Sequence, residues 1–434
     1  MSVSKSSPPA LVFPSKPTPA GNLPLTSTDL SRLFVSFTSF LVFERPIPEP
    51  AQTIRRALSE ALVHYYPVAG RVVVTGGSAA GHHGDVVVEL ACTGEGVAFA
   101  SATASCTLSD ARLLHAPPAI PAAELAPRYG GGGRCRASDP LLMVQVTEFA
   151  CGGYVVAATW NHGVADAAGL AQILQAVGEL ARGLPSPAVA PLRHDESLPD
   201  IPQLMSSAAI VARRRSQPAP PPSAEFAYTD VTIPWSFINR VKGEFRRVTG
   251  AAQPCTTFEV VTAAVWQCRT RAINAGAAAP APLVFAANVR RHIGSKEGYY
   301  GNCVSLQLVA AAAGAVAGGD IIDVVRLIRD AKERIPDTLN GAEQVGLDDD
   351  ELVETLCGYR YTTLRVSSWS GVGLDAVDFG GGRPARVVPD LERKLPPCCF
   401  PCLPCSDRDG ASVVAFCVTE DHVEEFHAEL ARLR

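Results

Sequence analysis

Nine histidines are spread along this 434-residue chain, and only His162 has an aspartate four residues on, Asp166, within YVVAATWNHGVADAAGLAQIL (154–174). A neutral imidazole, with an ordinary pKa near ~6.5, takes up a proton at cellular pH and gives it back, which suits general acid–base chemistry. An aspartate just ahead of a helix has a plainer use. Its carboxylate caps free backbone N–H groups, and its charge suits the helix dipole. The pair therefore reads either as a base on a turn with an acid in support, or as a polar turn residue followed by a cap. His-x-x-x-Asp spacing is common by chance, so other residues have to decide.

Other groupings are weaker. The four glycines of PRYGGGGRCR lack the lysine and hydroxyl of a phosphate loop. No Gly-x-Ser-x-Gly elbow is present, which argues against a hydrolase serine. Cys398, Cys399, Cys402 and Cys405 crowd into PPCCFPCLPC, whereas a structural zinc site draws on two separated pairs. A surface loop of reduced thiols is expected there, and no metal site. No secretory segment is read at the N-terminus, so the thirteen cysteines are expected to be free and the protein cytoplasmic. No stretch is apolar enough to span a membrane. The net charge of −5, with one dense basic cluster at Arg213–Arg215, argues against nucleic-acid binding.

The elements that must hold these residues alternate between helix and strand. Ile54, Leu58, Ala61, Leu62 and Tyr65 form one helical face ended by Pro67. GDVVVELACTGEGVAFASA reads as strands around a glycine-containing turn. The run ending at Asn161 is a strand, and Leu170, Ile173, Leu174, Val177 and Leu180 form the stripe of the helix that follows. Proline-rich sequence then fills most of 185–223 and marks a crossover. Beyond it, Thr256 and Glu259 form a capping box for a helix, PLVFAANVR and YTTLRVSSW read as strands, and GDIIDVVRLIRDAKERI and TEDHVEEFHAELARLR as helices. A chain this long with mixed elements in both halves is expected to be α/β with two domains, 1–184 and 224–434, joined by 185–223.

Seven short elements occur in order: YYPVAGR (65–71), NHGVADAAGL (161–170), TTFEVVTAAVW (256–266), FAANVR (285–290), YYGN (299–302), SSW (367–369) and DFGGGRP (378–384). Together they resemble the BAHD family of plant acyl-CoA-dependent acyltransferases, over the whole chain. Asn161 and Ala167 flank the motif as in the branch with benzyl alcohol benzoyltransferases and taxane acyltransferases. The resemblance implies the chloramphenicol acetyltransferase-like fold, two similar-sized mixed-sheet domains with a channel at their interface. It implies transfer of an acyl group, benzoyl or hydroxycinnamoyl, from acyl-CoA to a hydroxyl or amine of a small plant metabolite. There would be no bound cofactor and no acyl-enzyme.

By the same resemblance His162 is the general base, and Asp166 pairs with Arg290 to hold the loop. Ser367, with Trp369, would supply the oxyanion donor. Thr256 and Thr257, at a helix start with Lys242 nearby, are expected contacts for the CoA phosphate or pantetheine. Asp378, Phe379, Gly380 and Gly382 form the family's structural Asp-Phe-Gly-x-Gly element. Gly381 stands where the family has tryptophan, and looser backbone is expected there. A monomer is the family expectation. The rival reading is a non-catalytic acyl-CoA or metabolite-binding relative, with Gly381 as a sign of drift.

Overall fold

The computed structural model describes residues 2–5, 8–75, 87–114, 118–130, 134–201, 226–250, 252–340, 361–389, 397–406 and 408–433. The Arg213–Arg215 cluster and much of the proline-rich crossover lie outside these residues. The chain forms two compact units: Met1–Asp200 with Ile293–Cys303 and Gly371–Glu392, and Ile201–His292 with Val304–Ser370 and Arg393–Arg434.

In the first unit a seven-stranded sheet runs Val3–Lys5, Val97–Ala104, Leu142–Phe149, Tyr154–Asn161, Ser36–Phe43 and Arg386–Pro389, with Ala10–Val12 also on Val97–Ala104. Its pairings are antiparallel except that between Val97–Ala104 and Leu142–Phe149. Tyr154–Asn161 is an interior strand and every one of its residues is buried, which is why it reads as an unbroken apolar run. Asn161 stands opposite Ser36 in register, so the strand delivers His162 at the end of the sheet. The helix Ala167–Ala181 follows, and the helix Pro50–His64 packs on it.

Both strands read around a glycine-containing turn are present, and one difference from the sequence expectation concerns this unit. Val87–Ala91 and Val97–Ala104 enter separate sheets, the former pairing with Asn22–Pro24 and Arg71–Thr75. Gly94 and Gly96 both take positive φ between them, which redirects the chain. The Asp-Phe-Gly-Gly-Gly element, assigned to the second half by position, belongs to the first unit. There the strand Arg386–Pro389 completes an edge by pairing with Ser39–Val42. Domain limits at 184 and 224 therefore miss two returning segments.

The second unit carries a six-stranded sheet in the order Thr229–Pro234, Gly410–Phe416, Cys398–Leu403, Leu364–Val366, Leu283–Asn288, Val304–Val309. The helices Trp235–Thr249, Thr257–Ile273, Ile321–Glu333 and Glu420–Ala431 contribute Phe245, Trp266, Ile328 and Phe426 to its core. The cysteine cluster is not a surface loop. Cys398 and Cys399 are buried within an interior strand, where neighbouring side chains point to opposite faces of the sheet. Cys402 sits at a register shift with φ of 58°, the irregularity that the flanking prolines impose.

Candidate active site

The turn after Tyr154–Asn161 is tied on all sides. The Asn161 side-chain carbonyl accepts from Phe34 N at 3.3 Å and Gly163 N at 3.0 Å, and the Trp160 indole donates to Ala165 O at 2.8 Å. His162 continues the sheet pairing, its N–H donating to Val35 O at 2.7 Å. Its ring stands edge-on to Phe37 at 5.0 Å and lies near Trp160. Burial pushes the imidazole down to about 4, and the Arg32 guanidinium adds to the shift. Its own carbonyl, Asp166 and Asn302 oppose it. At neutral pH the ring is an unprotonated base.

Asp166 is the helix cap that its position suggests. Its Oδ1 accepts from Gly169 N at 2.9 Å, and its Oδ2 accepts from Cys303 N at 3.0 Å. The carboxylate thereby joins the His162 turn to the end of YYGN. Gly169 makes this possible, since a Cβ there would lie 2.0 Å from Tyr300 O.

Sequence reasoning missed three charged residues around this turn. Asp29 and Arg193 form an ion pair at 2.9 Å, with side chains 0% and 3% exposed. Asp29 also accepts from Thr26 N, from Asn302 N at 3.1 Å and from the Asn302 amide at 2.9 Å. Arg193 donates to Gly163 O at 3.2 Å, and the Asn302 amide donates to His162 O at 2.7 Å. The carbonyls of His162 and Gly163 are thus held by one buried network. Arg32 faces both Asp29 and Asp166, and burial lowers its pKa while these two carboxylates raise it. The capping box of Thr26 with Asp29 was the one local signal for Asp29.

Two more of the ordered motifs converge here. Tyr65 packs on Tyr300 at 5.1 Å, while Gln172 of the site helix donates to Tyr65 Oη and to Gly298 O. Burial raises the Tyr65 phenol to about 12, so it stays a neutral group. At the far end of the same helix Gly178 meets the Asp378 backbone, where a Cβ would lie 2.4 Å from Asp378 O.

The segment with Gly381 is not loose. Asp378 Oδ1 accepts from Gly380 N at 2.7 Å and Gly382 N at 2.9 Å, Arg182 donates to Asp378 O, and Phe379 stacks edge-on against Phe43. A Cβ on Gly381 would lie 2.9 Å from Arg45 O and 3.0 Å from Ile47 Cγ2. The backbone of 45–47 fills the space a larger side chain would need.

The remaining expected residues belong to the second unit. Lys242 donates to Thr257 Oγ1 at 2.7 Å, so these two come together. Thr256 is occupied in a complete capping box with Glu259. Arg290 follows the strand Leu283–Asn288, its N–H bonded to the Asn288 side chain. Ser367 N–H bonds to Cys399 O at the end of Leu364–Val366, and Trp369 is buried edge-on to Phe400. Among the described residues no cluster of three or more metal-ligating side chains occurs, and no helix is long and apolar enough to cross a membrane.

The first of the two mixed-sheet α/β units thus carries a buried histidine on a strand-to-helix turn. The model of the Transferase family matches residues 3–433. The chain is 39% identical to Acyl transferase 15 of Oryza sativa subsp. japonica, covering 100% of this chain and 98% of the relative. It is 34% identical to myricetin 3-O-glucosyl 1,2-rhamnoside 6'-O-caffeoyltransferase AT1 of Crocosmia x crocosmiiflora, covering 97% of each. In fold it is similar to F. graminearum TRI101 complexed with ethyl coenzyme A, with a TM-score of 0.70 at 16% identity, over 95% of this chain and 99% of that one. The chain belongs to the Transferase family of BAHD acyltransferases and is an acyltransferase.

Proposed function

We propose that the protein transfers an aromatic acyl group, hydroxycinnamoyl or benzoyl, from its CoA thioester to a hydroxyl or amine of a small plant metabolite, with His162 as general base. The observation that carries this is the state of His162, neutral by burial and beside Arg32, at the end of an interior strand. The Crocosmia relative, named as a caffeoyltransferase, favours a hydroxycinnamoyl donor.

In this reading the acceptor O–H or N–H gives its proton to the imidazole as the heteroatom attacks the thioester carbonyl carbon. The C–S bond then breaks, and the imidazolium returns the proton to the CoA thiolate. An imidazolium disfavoured by burial is a strong acid, which helps that second transfer. Asp166 and Asn302 offset part of the cost of its charge. Arg290 is proposed as a further partner of Asp166. Ser367 is proposed as the oxyanion donor beside Trp369, where loss of one such donor costs about 2.7–4 kcal/mol of barrier. Lys242 and Thr257, joined in one hydrogen bond, are the proposed contacts for CoA, with Thr256 held to its cap.

The test is to incubate the protein with coumaroyl-CoA, caffeoyl-CoA, benzoyl-CoA and acetyl-CoA against pooled alcohols and amines. Thiol release and product mass are followed together. An aromatic ester or amide formed by the protein and lost in His162→Ala supports the reading. Acyl transfer that survives in His162→Ala would refute the assignment of the base.

A further inference from the structure

We infer that Asn302 is a positioning residue for His162: its side-chain carbonyl accepts the Nδ1 proton of the imidazole and leaves Nε2 as the free, basic nitrogen. This rests on the proposed function in giving Nε2 its use, while the tautomer itself can be read without any reaction.

The orientation of the Asn302 amide is determined by its neighbours. Its nitrogen lies 2.9 Å from Asp29 Oδ1 and 2.7 Å from His162 O. Both of these groups accept: one is a backbone carbonyl, the other the carboxylate of the ion pair with Arg193 at 2.9 Å. The amide cannot be flipped, so Oδ1 is the atom left over. That Oδ1 is buried and meets no partner, and His162 Nδ1 is likewise buried and meets none. Two unmatched polar atoms thus sit on residues already joined by a short hydrogen bond, and the Asn302 amide acts on the imidazole itself. Buried polar atoms are rarely left unmatched.

Only one tautomer resolves the mismatch. A neutral imidazole has one donor and one acceptor nitrogen. With the proton on Nε2, the Nδ1 lone pair would face a carbonyl oxygen, acceptor against acceptor. With the proton on Nδ1, the two atoms pair. The other groups around the ring offer no rival of this kind. Phe37 and Trp160 present rings, Arg32 is a cation, and Asp166 is bonded to Gly169 N and Cys303 N. His162's own carbonyl is the one other acceptor near the ring; it already takes the Asn302 amide at 2.7 Å, whereas Asn302 Oδ1 takes no donor at all. Hydrogen bonds of this sort commonly tighten only when substrate is bound. Behind Asn302, Asp29 and Arg193 fix the amide and also grip Gly163 O, so the turn and the ring are set by the same buried pair.

The test is the nitrogen spectrum of His162 in protein labelled with 15N-histidine, its signals assigned by their loss in His162→Gln. Long-range proton–nitrogen correlations at pH 7.5 are expected to show Nδ1 protonated and Nε2 bare. The reverse tautomer in the unaltered protein overturns the inference. Asn302→Leu, close in shape but without either polar end, is expected to give a mixture of tautomers. With the donors above, kcat should fall by at least about 100-fold, as a wrong tautomer costs elsewhere, with KM changed by less than about twofold. Asn302→Asp is expected to give no rescue, because its second oxygen would face Asp29 Oδ1 and His162 O, which both need the amide N–H groups. A single Nδ1–H tautomer in Asn302→Leu would overturn the inference. Should that variant fail to fold, the spectrum of the unaltered protein decides it. The proposed reaction fails on a different result, transfer that persists without His162.

Discussion

Burial and Arg32 hold His162 well below an ordinary histidine, at about 4. The acid limb of kcat/KM is therefore expected well under pH 6, with a flat profile from about pH 5.5 to 8, read from initial rates of thiol release. A limb centred near ~6.5, the ordinary histidine value, would contradict this environment. The same shift has a stability consequence. The unfolded chain binds this proton below ~6.5 and the folded protein resists it until about 4, so the contribution is complete above ~6.5 and lost as pH falls between the two. Asp166→Ala should cost about 2–4 kcal/mol in urea unfolding, since it removes a helix cap and orphans the buried Cys303 N–H. Asp166→Asn, which keeps one acceptor, should cost less. The cap at Asp166 was legible because caps are local in sequence. Asp29, Arg193 and Asn302 were not legible as one network, because the pairs that join them span 164 and 273 residues.

At the scale of elements, the helix Ala167–Ala181 is the part that organises the site. Gly169 lets its first turn touch the Tyr300 carbonyl, and Gly178 lets its later part touch the Asp378 carbonyl. In an isolated sequence a helical glycine signals only a propensity cost of about 1 kcal/mol. Its packing value depends on which strand or loop lies across from it, and that is a property of the fold. Gly169→Ala is expected to destabilise by about 3 kcal/mol and to lower transfer, measured by thermal melting and thiol release. Restoring the family tryptophan at Gly381 is expected to harm rather than help, because Arg45 O and Ile47 already meet even a Cβ there. Gly381→Trp should lower Tm and leave no gain in kcat. The apolar stripe of the site helix, the capping box at Thr256 and the closing helix Glu420–Ala431 could all be read from periodicity and caps. The cysteine strand could not, since its prolines imitate a loop and its alternation is hidden by a register shift.

The whole molecule is less divisible than its sequence suggests. The first unit needs Ile293–Cys303 for the groups that hold the His162 turn, and Gly371–Glu392 for the outer strand beside Ser36–Phe43. Both segments arrive from beyond the proline-rich crossover, so composition along the chain places a boundary that the fold does not respect. Residues 1–184 expressed alone are expected to lack cooperative unfolding and near-ultraviolet dichroism. A fragment that folds cooperatively would show that the returning segments are dispensable. The most direct test of the whole account compares the unaltered protein with His162→Ala on aromatic acyl-CoA donors, following thiol release and product mass in the same reaction. Transfer that falls by about 100-fold or more, with an unchanged dichroism spectrum, is the expected result for loss of a general base. Equal transfer by the two proteins would contradict it.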